Sequence, residues 1–99
     1  MYRIAFLINP VSGGGEGGAV FGRLGEILGS FGLAADEWTA EITEEGRIGA
    51  QADRLLGASR TLIAVGGDGT LGIVLDRVRR LRPRTRIGLI PLGTGNDLG

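Results

Sequence analysis

The stretch "TLIAVGGDGTLGIVLDRV" (61–78) decides how this chain folds. Residues 61–65 are a nearly continuous apolar run, the pattern of a parallel strand covered on both faces. After Gly66, Gly67, Asp68, Gly69 and Thr70, the apolar residues Leu71, Val74, Leu75 and Val78 recur at spacings of three and four. That spacing predicts a helix with one core-facing stripe. A buried strand that passes through a glycine turn directly into a helix is half of a β-α-β unit, so the rest of the chain should supply more of them.

It does. Apolar runs at "YRIAFLI" (2–8), "LAADEWTAEI" (33–42) and "RIGLI" (86–90) predict three more strands. Val20, Leu24, Ile27, Leu28 and Phe31 mark a helix after the first strand, and Ile48, Ala52, Leu55 and Leu56 one after the second. Gly32 and Gly57 are the expected stops of these helices. Trp38 and Phe31 read as packing residues. The alternation β-α-β-α-β-α-β with right-handed crossovers predicts a three-layer α/β/α, Rossmann-like doubly wound parallel sheet. No linker or repeat divides the 99 residues, which suit one domain with a small core. "GTGNDLG" (93–99) places Asn96 and Asp97 where a helix N-cap belongs. We therefore expect residues 1–99 to be an N-terminal domain fragment cut just before another element.

Composition removes several chemistries. Eleven acidic residues balance eleven basic ones, so no global field draws the chain to nucleic acid or to an anionic membrane. Every basic residue is arginine, and lysine, histidine and cysteine are absent. Zinc sites built on His or Cys, thiol nucleophiles, Ser-His-Asp triads and the lysine-dependent P-loop are excluded. No run approaches the roughly 20 apolar residues of a membrane span, and the opening lacks the features of a signal peptide, so a cytoplasmic chain is expected.

In an open α/β sheet, ligands bind beyond the carboxyl ends of the strands, near the point where strand order reverses. Three such ends carry distinctive loops: "NPVSGGGEGG" (9–18), "GGDGT" (66–70) and "PLGTGND" (91–97). Strand order 2-1-3-4 would bring all three to one crevice. Each loop alone has a plain structural reading, as a capped turn, a tight strand-to-helix turn, or a turn fixed by Pro91. Their convergence points instead to a polyphosphate, because glycine amides can approach phosphate oxygens and the following helix starts add positive dipole ends. Thr70 and Thr94 add hydroxyl donors. Ser12 has no histidine to activate it; Thr39 and Thr43, late in or after the second strand, read by default as surface residues, with contact to a nucleotide as the alternative.

Asp68 needs a separate account. A carboxylate about 4 Å from a phosphate charge is repelled by about 4 kcal/mol at an effective dielectric of about 20. Either it shapes the turn by accepting amide hydrogen bonds, or it meets the phosphate charge through Mg²⁺ or water, with Asp97 as a second acid. The arginine run "DRVRRLRPRTR" (76–86) falls at the other end of the third helix and reads as a solvated helix terminus, with contact to anionic lipid or to the absent remainder of the protein as the competing readings.

On the residues "NPVSGG" (9–14), "GGDGT" (66–70) and "PLGTGNDL" (91–98), the chain resembles the N-terminal, nucleotide-binding domain of the diacylglycerol kinase and sphingosine kinase lipid-kinase family, bacterial branch. NAD kinases and 6-phosphofructokinases carry close variants of "GGDGT", and their N-terminal domains share the fold that the resemblance implies. It also implies ATP- and Mg²⁺-dependent phosphorylation of a lipid hydroxyl, such as that of diacylglycerol, in a cleft between this domain and a C-terminal β-rich domain absent from the chain. By matching position, nucleotide would contact Asn9, Pro10, Ser12, Gly13, Thr43, Gly66, Gly67, Asp68, Gly69, Thr70 and Thr94. Asp68 and Asp97 would form the acidic catalytic network. The partners implied are nucleotide and a lipid at the membrane surface, with self-association expected of the exposed cut edge and no nucleic acid. The chain departs from the usual pattern at Gly72 and Ile73, where the family has Asn-Glu. An NAD kinase relative and a non-catalytic nucleotide-binding module are the competing readings.

Overall fold

A computed structural model describes residues 1–93. Seven elements alternate as expected: β1 (Tyr2–Ile8), α1 (Ser12–Ser30), β2 (Trp38–Ile42), α2 (Ile48–Ala58), β3 (Ser59–Gly66), α3 (Asp68–Leu81) and β4 (Arg86–Pro91). The four strands form one parallel sheet in the order β2-β1-β3-β4, as the sequence predicts. The order reverses at β1 and β3, so the loops that follow these two strands rise side by side.

Strand periodicity sorts the core into two layers. Ala5, Leu7, Leu62 and Ala64 face one side and pack with Ala52, Leu55, Leu56, Leu71 and Val74 of α2 and α3. Phe6, Ile8 and Val65 face the other side and pack with Leu24 and Leu28 of α1. Successive side chains of a strand point to opposite faces, so an unbroken apolar run is what a sheet covered on both sides requires.

The differences from expectation have local causes. The second strand begins at Trp38 instead of residue 33, because a turn over Ala34–Glu37 occupies the preceding residues: Glu37 N–H donates to Ala34 O (3.0 Å), and Ala34 N–H to Glu37 Oε1 (2.9 Å). Trp38 packs in the α1 layer as expected. Phe31 does not, being 77% exposed. The α1 helix stops at Ser30, and its apolar face runs through Val20, Phe21, Leu24 and Leu28.

Gly32 does end this helix. It has φ 86°, with Leu33 N–H bonded to Leu28 O and Gly32 N–H to Gly29 O, the paired bonds of a Schellman stop. Gly57, by contrast, lies inside α2, which continues to Ala58. There the last carbonyls are capped by hydroxyls: Ser59 Oγ donates to Leu55 O (2.7 Å), and Thr85 Oγ1 to Leu56 O (2.7 Å).

Candidate functional site

Asn9 follows β1 directly, and its backbone N–H donates to Val65 O of β3 (2.8 Å). Its side chain acts in two directions. Oδ1 accepts from Val11 N–H (3.1 Å), closing the turn over Pro10, while Nδ2 donates to Thr70 Oγ1 (3.1 Å) in α3. Its carbonyl oxygen accepts from Ser12 Oγ (2.7 Å) and Ser12 N–H (3.2 Å). Asn9 therefore ties the first glycine loop to the second.

Two glycines make this junction possible. A β-carbon on Gly17 would overlap the Asn9 carbonyl, so only glycine lets α1 lie this close. On Gly66 it would lie 2.8 Å from Thr70 Cβ. Gly66 O also accepts Leu92 N–H (2.9 Å), which fastens the third loop to the second. Ahead of the regular part of α1, Gly13, Gly14 and Gly15 take φ of 62°, 68° and 103°. This left-handed run costs other L-residues about 1–2 kcal/mol at each position.

The three loops enclose a crevice of about 480 Å³, lined by Asn9, Ser12 and Gly13, by Gly67, Asp68, Gly69 and Thr70, and by Pro91, Leu92 and Gly93. Seven of the expected residues thus meet there. Thr70 is buried beneath it and Asp68 is exposed at its rim. Gly66 lies below the floor, buried. Gly67 has ordinary extended backbone, and the nearest atom to a β-carbon placed there is Leu92 O at 3.8 Å. Over Gly69 there is open space. Neither glycine is explained by packing among the described residues. Thr94 and Asp97, with Asn96, lie outside the described residues.

Asp68 is the first residue of α3. Among the described residues its carboxylate takes part in no hydrogen bond or ion pair, so the turn keeps its shape without it. No cluster of three or more His, Cys, Asp or Glu side chains suited to a metal occurs among the described residues. A lone free carboxylate still fits Mg²⁺, which is commonly held by one or two carboxylates together with phosphate oxygens and water.

Pro10 and Thr43 face a second hollow of about 340 Å³, which shares Asn9 and Val11 with the crevice. Thr43 N–H donates to Ile8 O (2.9 Å), fixing that residue at the end of β1. A residue not foreseen from the sequence holds it there. Gln51 is buried, donates through Nε2 to Ile42 O (2.9 Å), and accepts Glu44 N–H on Oε1 (2.9 Å), clamping both neighbours of Thr43. An amide on the apolar stripe Ile48, Ala52, Leu55 was the available signal. Glu41 beside it binds Arg54, and this hydrogen bond, with the attraction of the two charges, raises the Arg54 guanidinium above its usual value.

The arginine run is less remote from Asp68 than its sequence position suggests. Arg77 and Arg80 line a groove of about 680 Å³ between α2 and α3, whose other end is formed by Asp68 and Gly69. Gly49 leaves room for the Arg77 guanidinium, which pairs with Asp53 at 3.6 Å. Gly72 and Ile73 face this groove, outside the crevice.

The family model described as "Diacylglycerol kinase catalytic domain" matches residues 3–99. A diacylglycerol kinase of Staphylococcus haemolyticus is 38% identical over 94% of this chain and 28% of its own length. The eye-specific diacylglycerol kinase of Drosophila melanogaster is 36% identical over 96% of this chain and 6% of its own. The chain thus spans less than a third of the length of either relative. The crystal structure of a diacylglycerol kinase from Bacillus anthracis superposes with a TM-score of 0.73 at 22% identity, covering 93% of this chain and 31% of that one. A second structure from the same organism gives 0.75 at 24% identity. These likenesses establish the shared fold.

Proposed function

The chain belongs to the diacylglycerol kinase catalytic-domain family, and from that premise we propose that it is the nucleotide-binding half of an ATP-dependent kinase whose acceptor is a lipid hydroxyl such as that of diacylglycerol. The observation that carries this reading is the space over Gly67 and Gly69. Nothing among the described residues requires glycine there, yet a bound polyphosphate would, because a β-carbon would hold its oxygens away from the loop amides.

In this reading Asn9, Ser12, Gly13 and Thr70 line the bed of the phosphates, and Pro10 and Thr43 border the adjoining hollow, where the rest of the nucleotide lies. Gly66 acts by letting Thr70 pack closely. Thr94 would add a hydroxyl to the nucleotide and Asp97 a second acid. Mg²⁺ would be held by Asp68 and would neutralise charge on the phosphates. Positioning and electrostatic stabilisation dominate phosphoryl transfer, so this half of the cleft binds nucleotide but transfers phosphate poorly without the β-rich domain we assign to the remainder of the enzyme. Among the described residues no helix is long and apolar enough to cross a membrane.

Isothermal titration of the chain with ATP and Mg²⁺ tests the reading. Weak binding is expected, and it should fall in Asp68→Ala and in Gly67→Val. The valine is informative because the backbone at residue 67 suits any residue, so the fold survives while the crevice is filled. Absence of binding at millimolar ATP would refute the proposal.

A further inference from the structure

The turn that joins β2 to α2 carries two adjacent carboxylates in different surroundings. Arg47 N–H donates to Glu44 O (2.9 Å), closing a four-residue turn with Glu45 and Gly46 at its centre. Gly46 has φ 78°, the left-handed value that the third position of a type II turn takes. The Glu44 carboxylate accepts from Arg47 Nη1 (3.2 Å), whereas that of Glu45 takes part in no hydrogen bond or ion pair among the described residues. The backbone that carries Glu45 is held on both sides. Glu44 N–H donates to Gln51 Oε1 (2.9 Å), and Gln51 N–H donates to Arg47 O (2.9 Å).

Glu45 lines the hollow of about 340 Å³ beside the glycine crevice, together with Asn9, Pro10, Val11, Thr43 and Ile48. Pro10, Val11 and Ile48 give it apolar walls, and Val11 is 76% exposed. Apolar walls with a few polar groups are the make-up of a small-molecule site. Position on the sheet narrows the ligand. The crevice stands over the ends of β1, β3 and β4, while the hollow stands over the ends of β1 and its outer neighbour β2. A nucleotide with its phosphates in the crevice therefore enters the hollow sugar first.

We propose that Glu45 accepts a hydrogen bond from the ribose 2′-hydroxyl and so selects ribonucleotides over 2′-deoxyribonucleotides. This deepens the kinase reading and rests on it for the presence of a nucleotide in the crevice. An ionised carboxylate can only accept, so its partner must be a donor. The sugar hydroxyls are neutral donors and carry none of the charge that repels a carboxylate from phosphate. Of the two, the 2′-hydroxyl is the farther along the sugar from the 5′-phosphates and so the deeper in the hollow. Dinucleotide-binding sheets place an acidic residue for the same purpose after the strand that neighbours the phosphate-binding turn. Glu45 is thus a specificity-determining residue with no part in the transfer step.

Titration of the chain with ATP-Mg²⁺ and with 2′-deoxy-ATP-Mg²⁺ tests this. The parent chain should bind ATP about tenfold more tightly, the size expected of a hydrogen bond to a charged group. In Glu45→Ala the ratio of the two affinities should collapse to about one. Removing the charge also relieves its repulsion of the phosphates, but that acts on both nucleotides alike, so the ratio isolates the hydrogen bond. Glu45 is exposed, so a thermal melt of the variant should match the parent. Glu26→Ala removes a carboxylate that pairs with Arg23 on α1 and should keep the parent ratio. If neither nucleotide binds the parent, the kinase reading falls and this assignment with it. If ATP binds but the parent does not discriminate, or discrimination survives Glu45→Ala, the assignment alone is overturned. A Glu45-dependent preference for GTP over ATP, with no preference for the 2′-hydroxyl, would likewise overturn it by placing the base beside the carboxylate.

Discussion

Asn9 and Thr70, sixty-one residues apart in the chain, meet side chain to side chain at 3.1 Å beneath the crevice. The pair joins the turn after β1 to the first turn of α3, and Asn9 Oδ1 holds Val11 at the same time. A hydrogen bond of this kind contributes about 1 kcal/mol net. In a double-mutant cycle with Asn9→Ala and Thr70→Val, urea unfolding should return a coupling energy of about 1 kcal/mol. Each single variant should also weaken ATP-Mg²⁺ binding in titration. Additive stability effects would show that the pair does not couple the loops.

Gly17 and Gly22 belong to one helix and predict opposite outcomes. A β-carbon on Gly17 would overlap the Asn9 carbonyl oxygen, which is backbone and cannot rotate away. Around Gly22 there is open space. Gly22→Ala should therefore stabilise the chain by about 0.5–1 kcal/mol through helix propensity. Gly17→Ala should destabilise it by about 2 kcal/mol or more, as overpacking does, and lower ATP affinity as α1 is pushed from Asn9. Denaturant midpoints of the two variants, compared with the parent chain, check the contrast.

Much of this architecture was legible because the signals were local. The unbroken apolar run at 61–65 and the stripe Leu71, Val74, Val78 are consequences of a sheet with helices on both faces, and the order β2-β1-β3-β4 is the one assumed for the glycine loops to meet. What escaped depends on contacts between distant residues. Gly17 looked like one more glycine in a rich loop, and only the approach of Asn9 distinguishes it. Gln51 escaped notice because its partners, Ile42 O and Glu44 N–H, lie across the β2-α2 connection. The end of α2 was misplaced at Gly57 because its carbonyls are satisfied by Ser59 and Thr85, the latter lying 29 residues from its acceptor Leu56.

Gln51 gives a third expectation. Replacing it with leucine keeps the volume close but leaves Ile42 O and Glu44 N–H without the partners they have now. Losing each part-buried hydrogen bond of this kind costs about 1 kcal/mol. Gln51→Leu should therefore lower stability by about 2 kcal/mol, despite adding apolar surface to a helix stripe. Hydrogen exchange should report where: the Glu44 amide should exchange faster relative to those of β3. A more stable variant with Glu44 still protected would mean that the clamp contributes nothing to the position of Thr43.

The outer edge of β4 has no strand partner among the described residues, and Ile90 and Leu89 beside it are 42% and 38% exposed. Unpaired backbone groups along an apolar strand are a template for pairing with another chain. Arg86 guards the start of the strand and Pro91 ends it, but Gly88, Leu89 and Ile90 between them carry no charge. The 99-residue chain should therefore self-associate as its concentration rises. Sedimentation velocity should show the weight-average coefficient increasing with concentration, and Ile90→Lys should return it to the monomer value by placing a charge on the bare face. Lysine at this half-exposed site removes little packing, so the variant should melt within a few degrees of the parent. A parent chain that sediments as a single monomer across the whole range would show that the edge is already protected, and that the exposed apolar side chains of β4 do not drive association.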